Sequence, residues 1–291
     1  MSRLEGIRAV ITGAASGIGE ATARLFVAEG ASVVMADIED ERGRRIASEL
    51  GDRARYIQAD VAVEGAVDAA VDLAVADFGG LDCVFNNAGI PGSIGAIEEI
   101  DVASFDRTVA VHLRGVFLGI RAAARVMRPK GQGSIINTAS VAALSAGYAG
   151  HDYSACKAAI LQLTRTAANE LGEDGIRVNA ILPGAVSTAI YGRAVGLDAE
   201  QAQRTVDFMT VALSNAAPIR RAGTPNDIAE AALWLASAGS AYVNGQAIVV
   251  DGGLTTGPLQ RNRPVSREGL RDMLIQAASR PPDEDAAANQ T

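Results

Sequence analysis

The chain is poor in cysteine, with only Cys83 and Cys156 among 291 residues. Two isolated thiols build no disulfide framework, which fits a reducing cytoplasm. Cys156 adjoins Lys157, but neighbours on a helix project about 100° apart, so a small buried filler is expected rather than a nucleophile. Long hydrophobic runs are also missing. No stretch approaches the ~20 apolar residues of a membrane-spanning helix, so no membrane partner is expected. Met1-Ser-Arg-Leu-Glu-Gly6 runs straight into an apolar strand pattern, which leaves no room for a secretion signal. Positive charge is in deficit: 26 Lys and Arg stand against 34 Asp and Glu, a formal net charge of −8. Nucleic acid is therefore not expected as a partner.

What the chain does have is alternation. Hydrophobic residues make up 48%, and strand and helix signals follow each other without a linker before residue 255. This pattern predicts one α/β domain over residues 1–254. Its parallel strands are expected near 7–12, 32–37, 54–59, 81–86, 133–139, 176–182 and 246–250. They are mostly continuous apolar runs, as a sheet covered on both faces requires. The fold class expected is a Rossmann-type, doubly wound parallel sheet of about seven strands.

The first strand leads into Gly13-Ala-Ala-Ser-Gly17-Ile-Gly19, and an apolar-periodic helix follows through Ala21, Leu25 and Phe26 to Gly30. Glycines between a strand and a helix let the backbone approach a pyrophosphate, which sits where the helix N–H groups are unpaired. The next strand ends in Asp37, 24 residues after Gly13. That spacing suits a carboxylate that accepts the adenosine ribose hydroxyls. It would repel a 2′-phosphate, and the glycine turn holds no Lys or Arg to offset it. Arg42, Arg44 and Arg45 fall on the following helix. NAD(H) is thus the expected cofactor.

Tyr153-Ser-Ala-Cys-Lys157 places a phenol and an ammonium one helical turn apart, with Ser140 upstream. A free tyrosine loses its proton only near pH ~10. The ammonium is expected to favour the phenolate and lower that value. A serine hydroxyl from a neighbouring strand could then hold a carbonyl or alcohol oxygen beside the tyrosine. Such a set moves a proton on and off a substrate oxygen, which suits hydride transfer. Tyr-x-x-x-Lys alone recurs by chance on many helices; the glycine turn and Asp37 give it meaning.

The glycine turn, Asp37, Asn86-Asn-Ala-Gly89, Ser140, Tyr153 with Lys157, and Pro183-Gly184 occur in the order of a short-chain dehydrogenase/reductase. The chain resembles that family over about residues 5 to 254. The resemblance implies that the turn from Thr12 through Gly13, Ser16, Gly17 and Ile18 to Gly19 wraps the pyrophosphate. It implies ribose contacts at Asp37 and Ile38, and adenine contacts at Asp60 and Val61. Asn87, Ala88 and Gly89 would lie under the cofactor, and Pro183, Gly184, Val186 and Thr188 would meet the nicotinamide carboxamide. By the same resemblance Tyr153 is the acid/base, Ser140 positions substrate, and Lys157 binds the nicotinamide ribose. One position departs from the pattern: His112 stands where the family usually has asparagine, at a kink whose main-chain carbonyl holds a water linking the lysine to solvent. His112 is read either as a polar replacement or as an added group titrating near neutrality. The imidazole must also fit without straightening the kink.

Between Pro183 and Pro225 the family suggests two helices of a substrate flap. Further walls are expected from Ile90 to Ile94 and from Ala142, Leu144, Tyr148 and His151. They are mostly apolar, which favours a neutral, hydrophobic secondary alcohol or ketone such as a steroid, terpenoid or cyclic diol. Oligomerisation, to a tetramer, is expected through the long helices. On the helix from 154 to 172, Ala158, Ala159 and Leu161 are read as outward positions. Residues 255–291 form an extension, with an amphipathic helix at 266–279 and a disordered end from Asp283 to Thr291. The competing readings are an NADPH-linked ketoreductase, which Asp37 opposes, and a silent dinucleotide-binding scaffold, which the intact Ser, Tyr and Lys oppose.

Overall fold

The computed structural model describes residues 2–257, 259 and 267–278. Strands and helices alternate as β1 (Arg8–Thr12), α1 (Gly17–Ala28), β2 (Ser32–Asp37), α2 (Asp40–Leu50), β3 (Ala54–Gln58), α3 (Ala66–Phe78) and β4 (Cys83–Asn86). They continue as α4 (Val102–Val109), α5 (Gly115–Met127), β5 (Gly133–Thr138), α6 (His151–Gly172) and β6 (Ile176–Pro183). Three short helices follow, α7 (Ile190–Ala194), α8 (Ala199–Arg204) and α9 (Val206–Ala212), then α10 (Pro225–Ala236) and β7 (Ala247–Val250).

The seven strands form one parallel sheet of order β3-β2-β1-β4-β5-β6-β7. This is the expected Rossmann-type architecture. The strand period of two explains why apolar runs were needed. Val10 faces one side with Val34, Val84 and Ile135, against Val71 of α3, Ile120 of α5 and Ile160 of α6. Ala9 and Ile11 face the other with Val33, Phe85 and Ile136, against Phe26 of α1 and Ile228 of α10. Both faces are dry, so neither can carry a polar alternation. β1 lies between β2 and β4, where the strand order reverses; ligands of open α/β sheets bind beyond the carboxyl ends of the strands at such a switch point.

Two expectations differ in detail. The stretch after β6 holds three short helices rather than two. Gly196, at φ +83°, ends the first excursion, and Asp198 restarts a helix by pairing reciprocally with Gln201. Leu161, read as outward, is buried in the core, because α6 packs against α4, α5 and the turn between them as well as against the sheet. Ala158 is exposed and Ala159 partly so.

The chain divides into a compact unit over Met1–Thr255 and a second unit over Thr256–Thr291. In the second, α11 spans Arg267–Ala278, close to the expected 266–279, and its Met273 and Leu274 are exposed. The stretch Asp283 to Thr291 lies outside the described residues. Among the described residues, no helix is long and apolar enough to cross a membrane.

Candidate active site

The site is assembled at the carboxyl ends of β1, β4, β5 and β6. The glycine turn is shaped by contact. Gly13, at φ +67°, sits so close to the loop after β4 that a Cβ there would stand 2.8 Å from Ala88 Cα. A Cβ on Gly19 would stand 2.0 Å from the Gly13 carbonyl oxygen. Ser16 precedes α1 in an extended conformation and offers no side-chain cap. The first N–H groups of that helix are therefore left for an anion. Thr188, beyond β6, lies over Gly17, with its Cγ2 3.3 Å from where a Cβ would be. The turn and the β6 end thus meet, as a dinucleotide spanning both requires.

Asp37 is nearly buried. Its Oδ2 accepts from Ala15 N at 2.8 Å and its Oδ1 from Glu39 N at 3.0 Å. The carboxylate thereby ties the glycine turn to the end of β2, and each oxygen retains a free lone pair. The following arginines are committed elsewhere: Arg42 to Glu20, Arg44 to Asp40 and Arg45 to Glu49. Ile38 is half exposed and Val61 buried. Asp60 accepts from Ala62 N at 2.9 Å and from Arg107 at 3.1 Å.

Thr12 does more than its place in the turn indicated. Its hydroxyl accepts from Asn87 N at 2.9 Å and Ala88 N at 3.1 Å. Asn87 Nδ2 in turn donates to the Thr12 carbonyl at 3.1 Å. Thr138 Oγ1 donates to Asn87 Oδ1 at 3.4 Å, which completes a polar thread across the strand ends. Gly89 then packs on His112: a Cβ there would stand 2.7 Å from Cε1 of the imidazole. Gly184 is equally constrained, against Asp251 Cα at 2.7 Å, and Val186 bridges to Gly223 beyond Pro183. Thr138 is a residue that sequence reasoning missed; its only local signal is a place two residues before Ser140.

Ser140 leaves β5 extended, and its Oγ accepts from Ala142 N at 3.1 Å. Tyr153 and Lys157 stand on successive turns of α6, with Lys157 Nζ 5.3 Å from the Tyr153 ring centre. Lys157 Nζ donates to the Thr138 carbonyl at 2.7 Å. The expected lowering of the tyrosine is not what the protein alone produces. Desolvation pushes the Tyr153 phenol up to about 12, against a lowering from its hydrogen bond with Ser140. Burial likewise pushes the Lys157 ammonium down to about 7. In both cases burial is the largest influence, because taking a group out of water disfavours its charged form.

His112 is accommodated with the kink intact. A turn of π-helix, Ala110–Arg114, joins α4 to α5. The imidazole is 1% exposed, with Nε2 2.9 Å from the Ile90 carbonyl oxygen and 3.2 Å from Ile90 N. Its ring meets the Tyr153 ring edge-on, at 5.1 Å and 79°. Burial, and then the Lys157 charge, push it down to about 3. It is neutral at physiological pH. Cys156 is buried with its thiol raised by desolvation, which makes it a packing residue.

Chemically, the site offers a phenol and a serine hydroxyl at one point, and, at the ends of β1 and β2, a glycine turn with unpaired helix N–H groups beside the Asp37 carboxylate. The family model described as Enoyl-(Acyl carrier protein) reductase matches residues 13–255. Momilactone A synthase of Oryza sativa subsp. japonica is 48% identical over 257 residues, covering 87% of this chain and 91% of that protein. A 3-alpha-(or 20-beta)-hydroxysteroid dehydrogenase of Mycobacterium tuberculosis is 42% identical, covering 88% and 92%. Among solved structures, 3-ketoacyl-(acyl-carrier-protein) reductase from Brucella melitensis complexed with NADH superposes with a TM-score of 0.77 at 35% identity, covering 87% and 99%. The chain belongs to the short-chain dehydrogenase/reductase family, and is an oxidoreductase of that family.

Proposed function

We propose that the protein is an NAD(H)-dependent dehydrogenase that interconverts a neutral, largely hydrophobic secondary alcohol and its ketone. The observation that carries the reading is the pairing of Tyr153 with Ser140, together with a carboxylate, Asp37, that closes β2 and is bonded to the glycine turn through Ala15 N. Bound nicotinamide would supply the hydride acceptor or donor. The chain's own residues do the rest. Ser140 holds the substrate oxygen by its hydroxyl; the Tyr153 phenol gives its proton to the ketone oxygen in reduction, and in oxidation Tyr153, ionised beforehand to the phenolate, takes the alcohol proton. Lys157, anchored on the Thr138 carbonyl, reaches the nicotinamide ribose. Asp37 has lone pairs left for ribose hydroxyls and would repel a 2′-phosphate. A structural relative solved with NADH supports the same choice.

Apolar side chains of the walls, among them half-exposed Leu144 and Tyr148 and exposed Ile94, support a hydrophobic substrate. The relative that acts as a hydroxysteroid dehydrogenase supports the steroid class in particular. Two buried, unpaired cysteines suit a reducing compartment, the cytoplasm. A homotetramer completes the reading, built through α5 and α6, where Phe117 is half exposed. The deciding experiment is a screen of steroid, terpenoid and cyclic-diol alcohols with NAD⁺ and NADP⁺ side by side, following absorbance of the reduced cofactor. Turnover with NAD⁺ at higher kcat/KM is expected. Equal efficiency with NADP⁺ would overturn the cofactor assignment, and no turnover of any alcohol would overturn the activity.

A further inference from the structure

The loop that leaves β4 passes directly over the first turn of α6. Gly92 sits at φ +79°, and a Cβ there would stand 2.8 Å from Tyr153 Cβ and 3.0 Å from Asp152 Oδ1. On the other side, a Cβ on Gly150 would stand 2.2 Å from the Ser93 carbonyl oxygen. Backbone lies against backbone here, with no room for side chains between. Asp152 closes the contact. It is 1% exposed, yet among the described residues no Lys or Arg forms an ion pair with it. Its partners are hydrogen-bond donors instead. Ser93 N lies 3.1 and 3.0 Å from its two oxygens, and Ser93 Oγ donates at 2.8 Å. Tyr153 N, one of the amides a helix start leaves unpaired, donates at 2.7 Å.

A buried carboxylate without a cation is costly unless such bonds and a helix N-terminus hold it. Burial alone would raise the Asp152 carboxyl, but the bonds from Thr108, Ser93 and Tyr153 outweigh it and hold it below the ordinary range. Bonds to an ionised acceptor are about twice as strong as neutral ones. The other end of the loop is held by His112, through the Ile90 carbonyl. Tyr153 lies between the two fastenings.

We propose that Asp152 is a positioning residue: its carboxylate clamps the loop Ile90–Ser93 onto α6, and so sets both the Tyr153 phenol and the wall along which the substrate lies. This rests on the alcohol–ketone reading for its kinetic consequence, though not for the clamp itself. Tyr153 supplies the chemistry; Asp152, buried beneath the loop with its bonds made to Ser93 and Tyr153 N, acts through them. A loop fixed at both ends beside the acid/base gives a site shaped for a bulky alcohol, since a small one needs little of the wall.

The test compares Asp152→Ala, Asp152→Asn and Ser93→Ala with the parent. Amide hydrogen exchange is measured at Ser93 and Tyr153, and NAD⁺ kinetics with cyclohexanol and with a 3-hydroxysteroid. In Asp152→Ala, protection of both amides should fall about 10-fold or more, the worth of a bond to a charged group. Its KM for the steroid should rise more than that for cyclohexanol, kcat should fall for both, and NAD affinity should stay within about twofold. Asp152→Asn keeps one acceptor oxygen and should fall between; Ser93→Ala should loosen the loop in the same direction. Unchanged protection, or lost protection with kinetics unchanged, overturns the proposal. If Asp152→Ala does not fold, the other two variants decide by the same criteria. A parent protein that oxidises neither alcohol would count against the alcohol–ketone reading alone, and the exchange result would still decide the clamp.

Discussion

Gly19→Ala separates a cofactor cradle from a glycine that is merely tolerated. Gly19 lies in the first turn of α1, where alanine is ordinarily the better helix former by about 0.5–1 kcal/mol. With open space around it the substitution would stabilise the protein. Here the new Cβ would stand 2.0 Å from the Gly13 carbonyl oxygen, 2.7 Å from Gly13 C and 2.8 Å from Asn87 Nδ2. Ordinary contact begins at 3.4 Å, so the carbonyl must retreat by about 1.4 Å, the difference between 3.4 and 2.0 Å. Neither neighbour is soft. Gly13 is backed by Ala88, and Asn87 is held by Thr12 at both its backbone and its amide. Overpacking of this kind costs about 1–3 kcal/mol. Set against the helix gain, the net is destabilising by about 0–2.5 kcal/mol, at about 2–4 °C of Tm per kcal/mol for a domain this size. The same displacement spoils the anion cradle, and every 1.4 kcal/mol of lost binding is about tenfold in Kd. Isothermal calorimetry should show NAD bound about 10- to 100-fold more weakly, while scanning calorimetry shows a Tm unchanged or lowered. A variant that gains stability and binds NAD as the parent does would refute the cradle.

Three further outcomes follow from the catalytic groups. Tyr153→Phe should lose turnover by about 10²–10⁴-fold, the usual worth of a general acid–base, with NAD affinity nearly intact by calorimetry; retention of more than a tenth of parental kcat/KM would remove Tyr153 from that role. Lys157, held near 7 in the fold against an ordinary 10.5, keeps its proton in the unfolded chain while releasing it in the folded one between those values. Its contribution to cofactor-free stability therefore rises with pH across that window, and Lys157→Met should flatten that part of the Tm–pH curve; a curve parallel to the parent's would show the ammonium is not desolvated. His112, pushed down to about 3, should carry no charge during catalysis. His112→Asn should leave the kcat–pH profile between pH 5 and 9 unchanged in shape, and loss of a limb would show that the imidazole titrates in the proton path.

Much of the scaffold was legible because its signals are local. Each apolar run became a strand within about two residues of its expected ends, since a strand covered on both faces admits little else. Asp37 was readable from its place at the close of such a run, and Tyr153 with Lys157 from the helical turn between them. The flap was read less well: helices of five to seven residues carry too few turns to show a period. Leu161 was misread for a related reason, as a helix flanked by several elements buries more than one stripe. Asp152 was missed because an acid in the first turn of a helix reads as a solvated dipole partner. Only the loop folded over it reveals otherwise.

By itself the sequence determined the order of strands and helices, the glycine turn, the acid closing β2 and the spacing of the phenol and ammonium. Each of these is written within a few consecutive residues, where backbone sterics and side-chain periodicity act. The tertiary structure alone decided what those groups experience. It brought Thr12 to Asn87 and Ala88, His112 to Ile90 and Asp152 to Ser93. It also buried the Tyr153 phenol, and that desolvation raises it where a lowering was expected. Desolvation and contacts across many tens of residues depend on which surfaces the fold presses together, and no short stretch of chain carries that information.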